Sequence, residues 1–165
     1  MHIFCWCEML LDMSPAELGR SLVEVTAFKP KPGGAPANVA VAAARLGAQS
    51  AFIGKVGDDA FGHHLADVLR QEDVEVGGMR YDPEARTGMA FIAMPDENSY
   101  DILFYRNPGA DMRLRADELD RAILDQARAF HFGSLSLIQE PSRGATLEAA
   151  RIAREAGALI SFDVT

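Results

Sequence analysis

The stretch GGAPANVAVAAARLGAQSAFIGKVG, residues 33–57, decides how the rest of this chain is read. Gly33 and Gly34 permit backbone conformations closed to other residues and leave no side chain between a ligand and the main chain. A helix follows at once. Pro36 stands where a missing N–H costs nothing, Asn38 brings an amide into the first turn, and VAVAAARL is a strong helix former that ends at Gly47. Residues 50–56, SAFIGKV, then read as a buried strand closed by Gly57. A glycine pair set on a helix N-terminus offers N–H groups and a positive dipole end to the oxygens of a small polar ligand. Taken alone, the pattern fits a tight loop as well as a site. Two better-known phosphate loops are excluded: no strand leads into a G-x-G-x-x-G, and Gly54-Lys55 is followed by Val56 in place of the Ser or Thr of a P-loop.

Upstream, HIFCWCEMLL (residues 2–11) is apolar enough to be a strand buried on both faces, as in a parallel sheet. It ends at Asp12. A carboxylate just past the C-terminal end of such a strand lies where open α/β sheets bind ligands and can accept hydrogen bonds from sugar hydroxyls, with a turn or cap residue as the alternative. Cys5 and Cys7, two apart on the strand, are expected on one face and poorly placed to bond each other, which argues against a disulfide scaffold or a zinc site. Residues 13–32, with Pro15, Pro30 and Pro32, read as an irregular excursion over the site.

Downstream, DDAFGHHLADVLRQED (58–73) has helical periodicity, with Phe61, Leu65, Val68 and Leu69 on one stripe and Asp58 or Asp59 as N-cap. His63 and His64 face different directions there and read as solvated or satisfied, not as a metal pair. GMAFIAM (88–94) and YDILFYR (100–106) flank the turn-forming PDENS, the pattern of a β-hairpin and a candidate lid. From 116 the spacing predicts a helix ADELDRAILDQA, a strand AFHFGS, a helix over 141–156 and a strand ALISFDV. His131 in its strand reads as packed. Glu140, just ahead of the Pro-led helix, reads first as a partner of the helix dipole and second as a sugar contact.

A length of 165 residues and 48% hydrophobic content suit one domain or part of one. The net charge of −8 argues against nucleic acid or an anionic membrane as partner, because both require a basic face. The apolar start MHIFCWCEMLLDM has no basic region and carries Glu8 and Asp12, and no run approaches the roughly 20 residues of a membrane helix. A reduced, cytoplasmic protein is the expectation.

The series GG-A-P-A-N-V-A, Gly47 and Gly57 resembles the first signature of the PfkB (ribokinase-like) family of carbohydrate kinases, and GGAPANVAVAAARLG with FIGKVGDDAFG is most similar to its plant and bacterial fructokinases. The resemblance implies an α/β ribokinase-like fold, a mostly parallel sheet with flanking helices and a small β-hairpin lid, the lid segments falling near 13–32 and 86–112. EMLLDM is similar to the family's G-E-M-L-I-D, whose Asp holds the sugar, with Cys7 here in place of the Gly and a tighter pocket mouth implied. Residues 104–112 resemble the lid segment FFRNPSADM, whose Arg lies near the sugar, with Gly109 for the usual Ser. The implied substrate-binding set is Asp12, Gly33, Gly34, Asn38, Arg106 and Glu140, with fructose preferred and ribose or 2-keto-3-deoxygluconate as alternatives.

ATP and Mg2+ belong to the complete family enzyme. Its catalytic Asp sits in a G-A-G-D motif in the second half, a motif absent here, since PGADM at 108–112 matches the lid segment. The chain is therefore expected to be the N-terminal, sugar-binding part of a single fructokinase-type domain, with no catalytic residue of its own. On this reading it makes fructose 6-phosphate only where the second half is supplied, and a strand without its neighbour favours aggregation of the isolated chain. The alternative is a noncatalytic protein that pairs with intact kinases, as a homo- or hetero-dimer, through its lid.

Overall fold

The computed structural model describes residues 2–164. In chain order the elements are β1 (His2–Cys7), β2 (Leu10–Pro15), β3 (Phe28–Gly33), α1 (Ala35–Arg45), β4 (Gln49–Gly57), α2 (Ala60–Gln71), β5 (Val74–Asp82), β6 (Met89–Asp96), β7 (Ser99–Tyr105), α3 (Arg121–Leu124), β8 (Ala129–Gly133), α4 (Ser142–Glu155) and β9 (Leu159–Asp163). Alternation along β1 sends Phe4 and Trp6 to one face, against Phe130, Phe132 and the Ala145, Ala149 and Ile152 stripe of α4. Cys5 goes to the other face, with Phe52, Val56, Ala37 and Ala40 of α1, and Leu65 and Leu69 of α2. A strand covered on both faces belongs at the centre of a parallel sheet, and β1 pairs in parallel with β4 on one side and β8 on the other. The indole N–H of buried Trp6 is satisfied by donation to Thr146 Oγ1 at 2.7 Å.

The full order is β5-β4-β1-β8-β9, parallel throughout. From β1 the chain grows outward through β4 and β5, then returns to the other side of β1 for β8 and β9. The winding reverses between β1 and β8, so α1 and α2 lie on one face and α4 on the other, and the carboxyl ends of those two strands form the topological switch point, the place where open α/β sheets bind ligands.

A second sheet of order β3-β2-β6-β7 forms the lid. The 88–94 and 100–106 segments do make an antiparallel hairpin, but it does not stand alone: β2 pairs in parallel with β6 and antiparallel with β3. The chain crosses between the two sheets four times. One crossing is fastened by Asp59, whose Oδ1 accepts the Phe61 and Gly62 N–H groups at 3.0 and 2.9 Å as the α2 N-cap while Oδ2 accepts the Thr87 N–H at 2.9 Å.

Several expectations change. The strand expected over 2–11 is two strands in two sheets, because Cys7 adopts φ +102 and Glu8 and Met9 leave the core sheet. The same reversal puts Cys7 on the α4 face, opposite Cys5; both thiols are free and buried, and burial pushes the Cys5 thiol up to about 12. The excursion over 13–32 contains β3, an edge strand and hence tolerant of Pro30 and Pro32. Strand β5 had no counterpart in the sequence reading. The helix expected over 116–127 is a 3-10 turn at Ala116–Glu118 and the short α3, because the Asp120 carboxylate takes the Ala122 N–H and caps a new start. Phe61 is off the buried stripe and exposed, and Gly62, Leu65, Ala66 and Leu69 face the core.

Candidate sugar site at the lid root

At the β3–α1 crossing, Gly33 closes β3 and Gly34, at φ +107, is the N-cap of α1. A Cβ on Gly34 would lie 2.5 Å from the Glu8 carbonyl oxygen, and one on Gly33 would overlap the Asp12 carboxylate. The β1–β2 crossing at Glu8 and the glycine turn therefore touch backbone to backbone, which only glycine allows, and the Asp12 side chain lies against Gly33. Asp12 lies within β2, opposite Lys31 of β3 and Ala90 of β6, and not past the end of a core strand as its position suggested. It is half-buried, and burial raises its carboxyl above the usual range while the Lys31 charge opposes. Asn38 sits exposed in the first turn of α1, its N–H on Gly34 O at 3.0 Å. Asp12 and Gly33 are thus in contact, and Gly34 and Asn38 follow on the same turn.

Arg106 and Glu140 are placed differently. Arg106 follows β7 directly and is buried, its Nη2 donating to the equally buried Asp111 in a tight ion pair. Glu140 is exposed, and its Oε2 accepts the Gly144 N–H at 2.9 Å in the first turn of α4. That is the helix-dipole role. An open crevice of about 600 Å³ on the flank of the lid root is lined by Arg86, Phe104, Arg106, Gly109 and Arg113. It includes neither Asp12 nor the glycine turn.

Sequence reasoning missed Glu8 as a site residue. It is 1% exposed at the end of β1, and its Oε1 would lie 3.2 Å from a Cβ on Gly133 at the end of β8. That is the switch point of the sheet. A lone acid inside the apolar run HIFCWCEMLL was the available signal. Burial pushes the Glu8 carboxyl up to about 7, with Arg106 pulling it down and Asp111 and Asp163 pushing it up.

The folded chain thus holds a proton on Glu8 at pH values where the unfolded chain has released it. Stability from this group is present below the ordinary carboxyl range and is lost as pH rises toward 7. Urea unfolding is expected to show a fall of roughly 3 kcal/mol between pH 5 and pH 8 that is missing in Glu8→Gln, at about 1.4 kcal/mol per pH unit. Equal pH slopes in the two proteins would show that Glu8 ionises normally.

Among the described residues no group of three His, Cys, Asp or Glu side chains is arranged to hold a metal. His63 is exposed, with Nε2 2.8 Å from Asp58 Oδ1 and its ring stacked on Tyr81, while His131 is partly buried beside Ser161 Oγ at 3.0 Å. No helix of the described residues is long and apolar enough to cross a membrane.

Comparison with known proteins gives this geometry a family. The chain is 53% identical over 156 residues to Fructokinase-1 of Zea mays, covering 94% of this chain and 48% of that protein. The crystal structure of fructokinase from Xylella fastidiosa superposes with a TM-score of 0.90 at 37% identity, covering 99% of this chain and 50% of that one. An uncharacterized sugar kinase from Pyrococcus horikoshii, solved in complex with ATP, gives a TM-score of 0.92 at 35% identity over 99% of this chain and 53% of its own. The chain spans about half the length of the curated relatives it matches. The sequence model of the pfkB family carbohydrate kinases matches residues 2–164, essentially everything from the first core strand to the last, and the chain belongs to that family.

Proposed function

We propose that this chain forms the sugar-binding half of a fructokinase-type kinase, which transfers the terminal phosphoryl group of ATP to fructose and gives fructose 6-phosphate. The carrying observation is the contact of the Asp12 carboxylate with Gly33, one residue before the α1 N-terminus and beside the switch point of the sheet. There Asp12 accepts hydrogen bonds from sugar hydroxyls, and the Gly34 turn brings main-chain N–H groups to the sugar oxygens. Asn38 adds an amide from the helix start. Arg106 closes the pocket from the lid root, and Glu140 steadies α4 behind it. The catalytic base and the nucleotide pocket are assigned to the half of the relatives that this chain does not match. The free thiols fit a reduced compartment such as the cytoplasm.

Asp12→Asn is expected to weaken fructose binding at least about tenfold, since a hydrogen bond to a charged acceptor contributes roughly 1.5–3 kcal/mol. Calorimetric titration of the two proteins with fructose, with circular dichroism to show an unchanged fold, measures this. Equal affinity would remove Asp12 from the site.

A second reading, a noncatalytic partner that docks on intact kinases through the lid, is favoured by β7. All seven of its residues are exposed, Tyr100, Ile102 and Phe104 among them, and it is the outer strand of its sheet. Binding of an intact fructokinase without any binding of fructose would favour this reading over the first.

A further inference from the structure

Five buried side-chain atoms of the described residues lack a hydrogen-bond partner, and three of them belong to residues at or beside the lid root: Glu8 Oε2, Arg106 Nε and Asp111 Oδ1. Glu8 comes from the β1–β2 crossing, and Arg106 and Asp111 from the return of the chain after β7. Fully ionised, the group sets two carboxylates against one guanidinium. Arg106 spends Nη2 on Asp111 and has an idle donor in Nε, while Glu8 has an idle acceptor in Oε2. The Arg106 charge already acts on Glu8. An unmatched buried donor and an unmatched buried acceptor in one low-dielectric space each carry a desolvation penalty that their union would remove.

Glu8 also touches the sugar turn. Its carbonyl lies under Gly34, its carboxylate lies beside Gly133, and the Arg106 charge acts on it. On the lid side, a Cβ on Gly88 would meet Arg106 Cβ, Asp111 Oδ1 and Leu10 Cβ at ordinary contact distance, so the four crossings between the sheets gather around these residues.

We propose that Glu8 is a positioning residue that acts through Arg106: when a sugar seats against Asp12 and the Gly33–Gly34 turn, Glu8 Oε2 accepts the Arg106 Nε–H and fixes the lid root over the pocket. The proposal rests on the sugar-binding reading above. The charged and titratable groups facing Glu8 are Cys7 on β1, Arg106 and Asp111 on the lid return and Asp163 at the end of β9. Arg106 is the one cation among them, so an ionised Glu8 has a single charge-assisted partner available. With the free carboxyl pushed up to about 7, the bond has full charge assistance at pH 8 and little at pH 6. With the bond lowering the Glu8 carboxyl by about one unit, fructose affinity is expected to rise about fivefold from pH 6 to pH 8.

The test is calorimetric titration of the 165-residue chain and of Glu8→Gln with fructose at both pH values. It is paired with the 15N–1H signal of the Arg106 Nε–H recorded with and without fructose. Glu8→Gln keeps an acceptor oxygen and loses the charge, so its affinity is expected to be flat with pH and about tenfold below the parent chain at pH 8. The Arg106 signal is expected to shift with fructose in the parent chain at pH 8. A fructose affinity in Glu8→Gln that follows the parent pH profile overturns the proposal, and so does an Arg106 signal unmoved by saturating fructose. Should Glu8→Gln fail to fold, the Arg106 signal of the parent chain decides alone. A parent chain that binds no fructose at either pH sinks the sugar-binding reading itself and the proposal with it.

Discussion

Arg106→Ala is expected to destabilise the fold by about 3–5 kcal/mol, the range for removing one partner of a buried ion pair. Arg106 is 8% exposed and Asp111 1%, and Asp111 already has one oxygen without a donor. Burial pushes the Asp111 carboxyl above the usual range, and the Arg106 charge is the largest force holding it down. Without the guanidinium, Asp111 must take up a proton or remain an uncompensated charge in the core. Asp111→Ala in the same background is expected to recover part of the loss, because neighbouring sites are not additive. Urea unfolding of both single variants and the double variant measures this coupling. A loss in Arg106→Ala below about 1 kcal/mol would mean that Arg106 behaves as a surface charge. The resemblance to the lid segment alone treats Arg106 as a sugar contact whose removal spares the fold. Its burial against Asp111 predicts loss of stability together with loss of sugar binding.

Gly34→Ala is the second large effect, expected at about 3–5 kcal/mol from two sources that add. At φ +107 an L side chain is strained in any surroundings, and its Cβ would stand 2.5 Å from the Glu8 carbonyl oxygen, a backbone atom that cannot rotate away. Gly47 is the internal control. It also has positive φ, +86, as the residue after the C-cap of α1, yet a Cβ there would meet nothing within 4 Å. Gly47→Ala should therefore lose only the conformational part, about 1–2 kcal/mol. Thermal melts of the two variants separate the terms. Equal losses would mean that the β1–β2 crossing yields to the added methyl group and that the contact under the glycine turn is soft. Where Gly34→Ala folds, fructose binding is expected to be lost, because the turn must move to clear Glu8.

The elements legible in the sequence were those specified by local chemistry. Helix α1 follows from its alanines between Gly34 and Gly47, α2 from its periodicity and the Asp59 cap, and the β6–β7 hairpin from alternation around a turn. The failures share a cause. HIFCWCEMLL is one continuous apolar run, and no local signal says that Cys7 takes a backbone conformation usually left to glycine and hands the chain to another sheet. Residues 116–127 have helical spacing, but Asp120 and the burial of Leu124 break it.

The sequence by itself determined the family, the parallel α/β sheet and the lid hairpin, because the glycine signature, the apolar strands and the turn are each written in residues close together in the chain, whereas the contact of Asp12 with Gly33 across β2 and β3 was not legible in it. Only the tertiary structure decided that the lid is a four-stranded sheet, that Arg106 is buried on Asp111, and that Glu8 stands at the switch point between β1 and β8. The physical reason is range. Residue type and spacing encode helices, turns and strands through neighbouring backbone preferences, whereas the charge state of Glu8 depends first on its burial and then on Arg106, Asp111 and Asp163, and only the folded sheets bring these about.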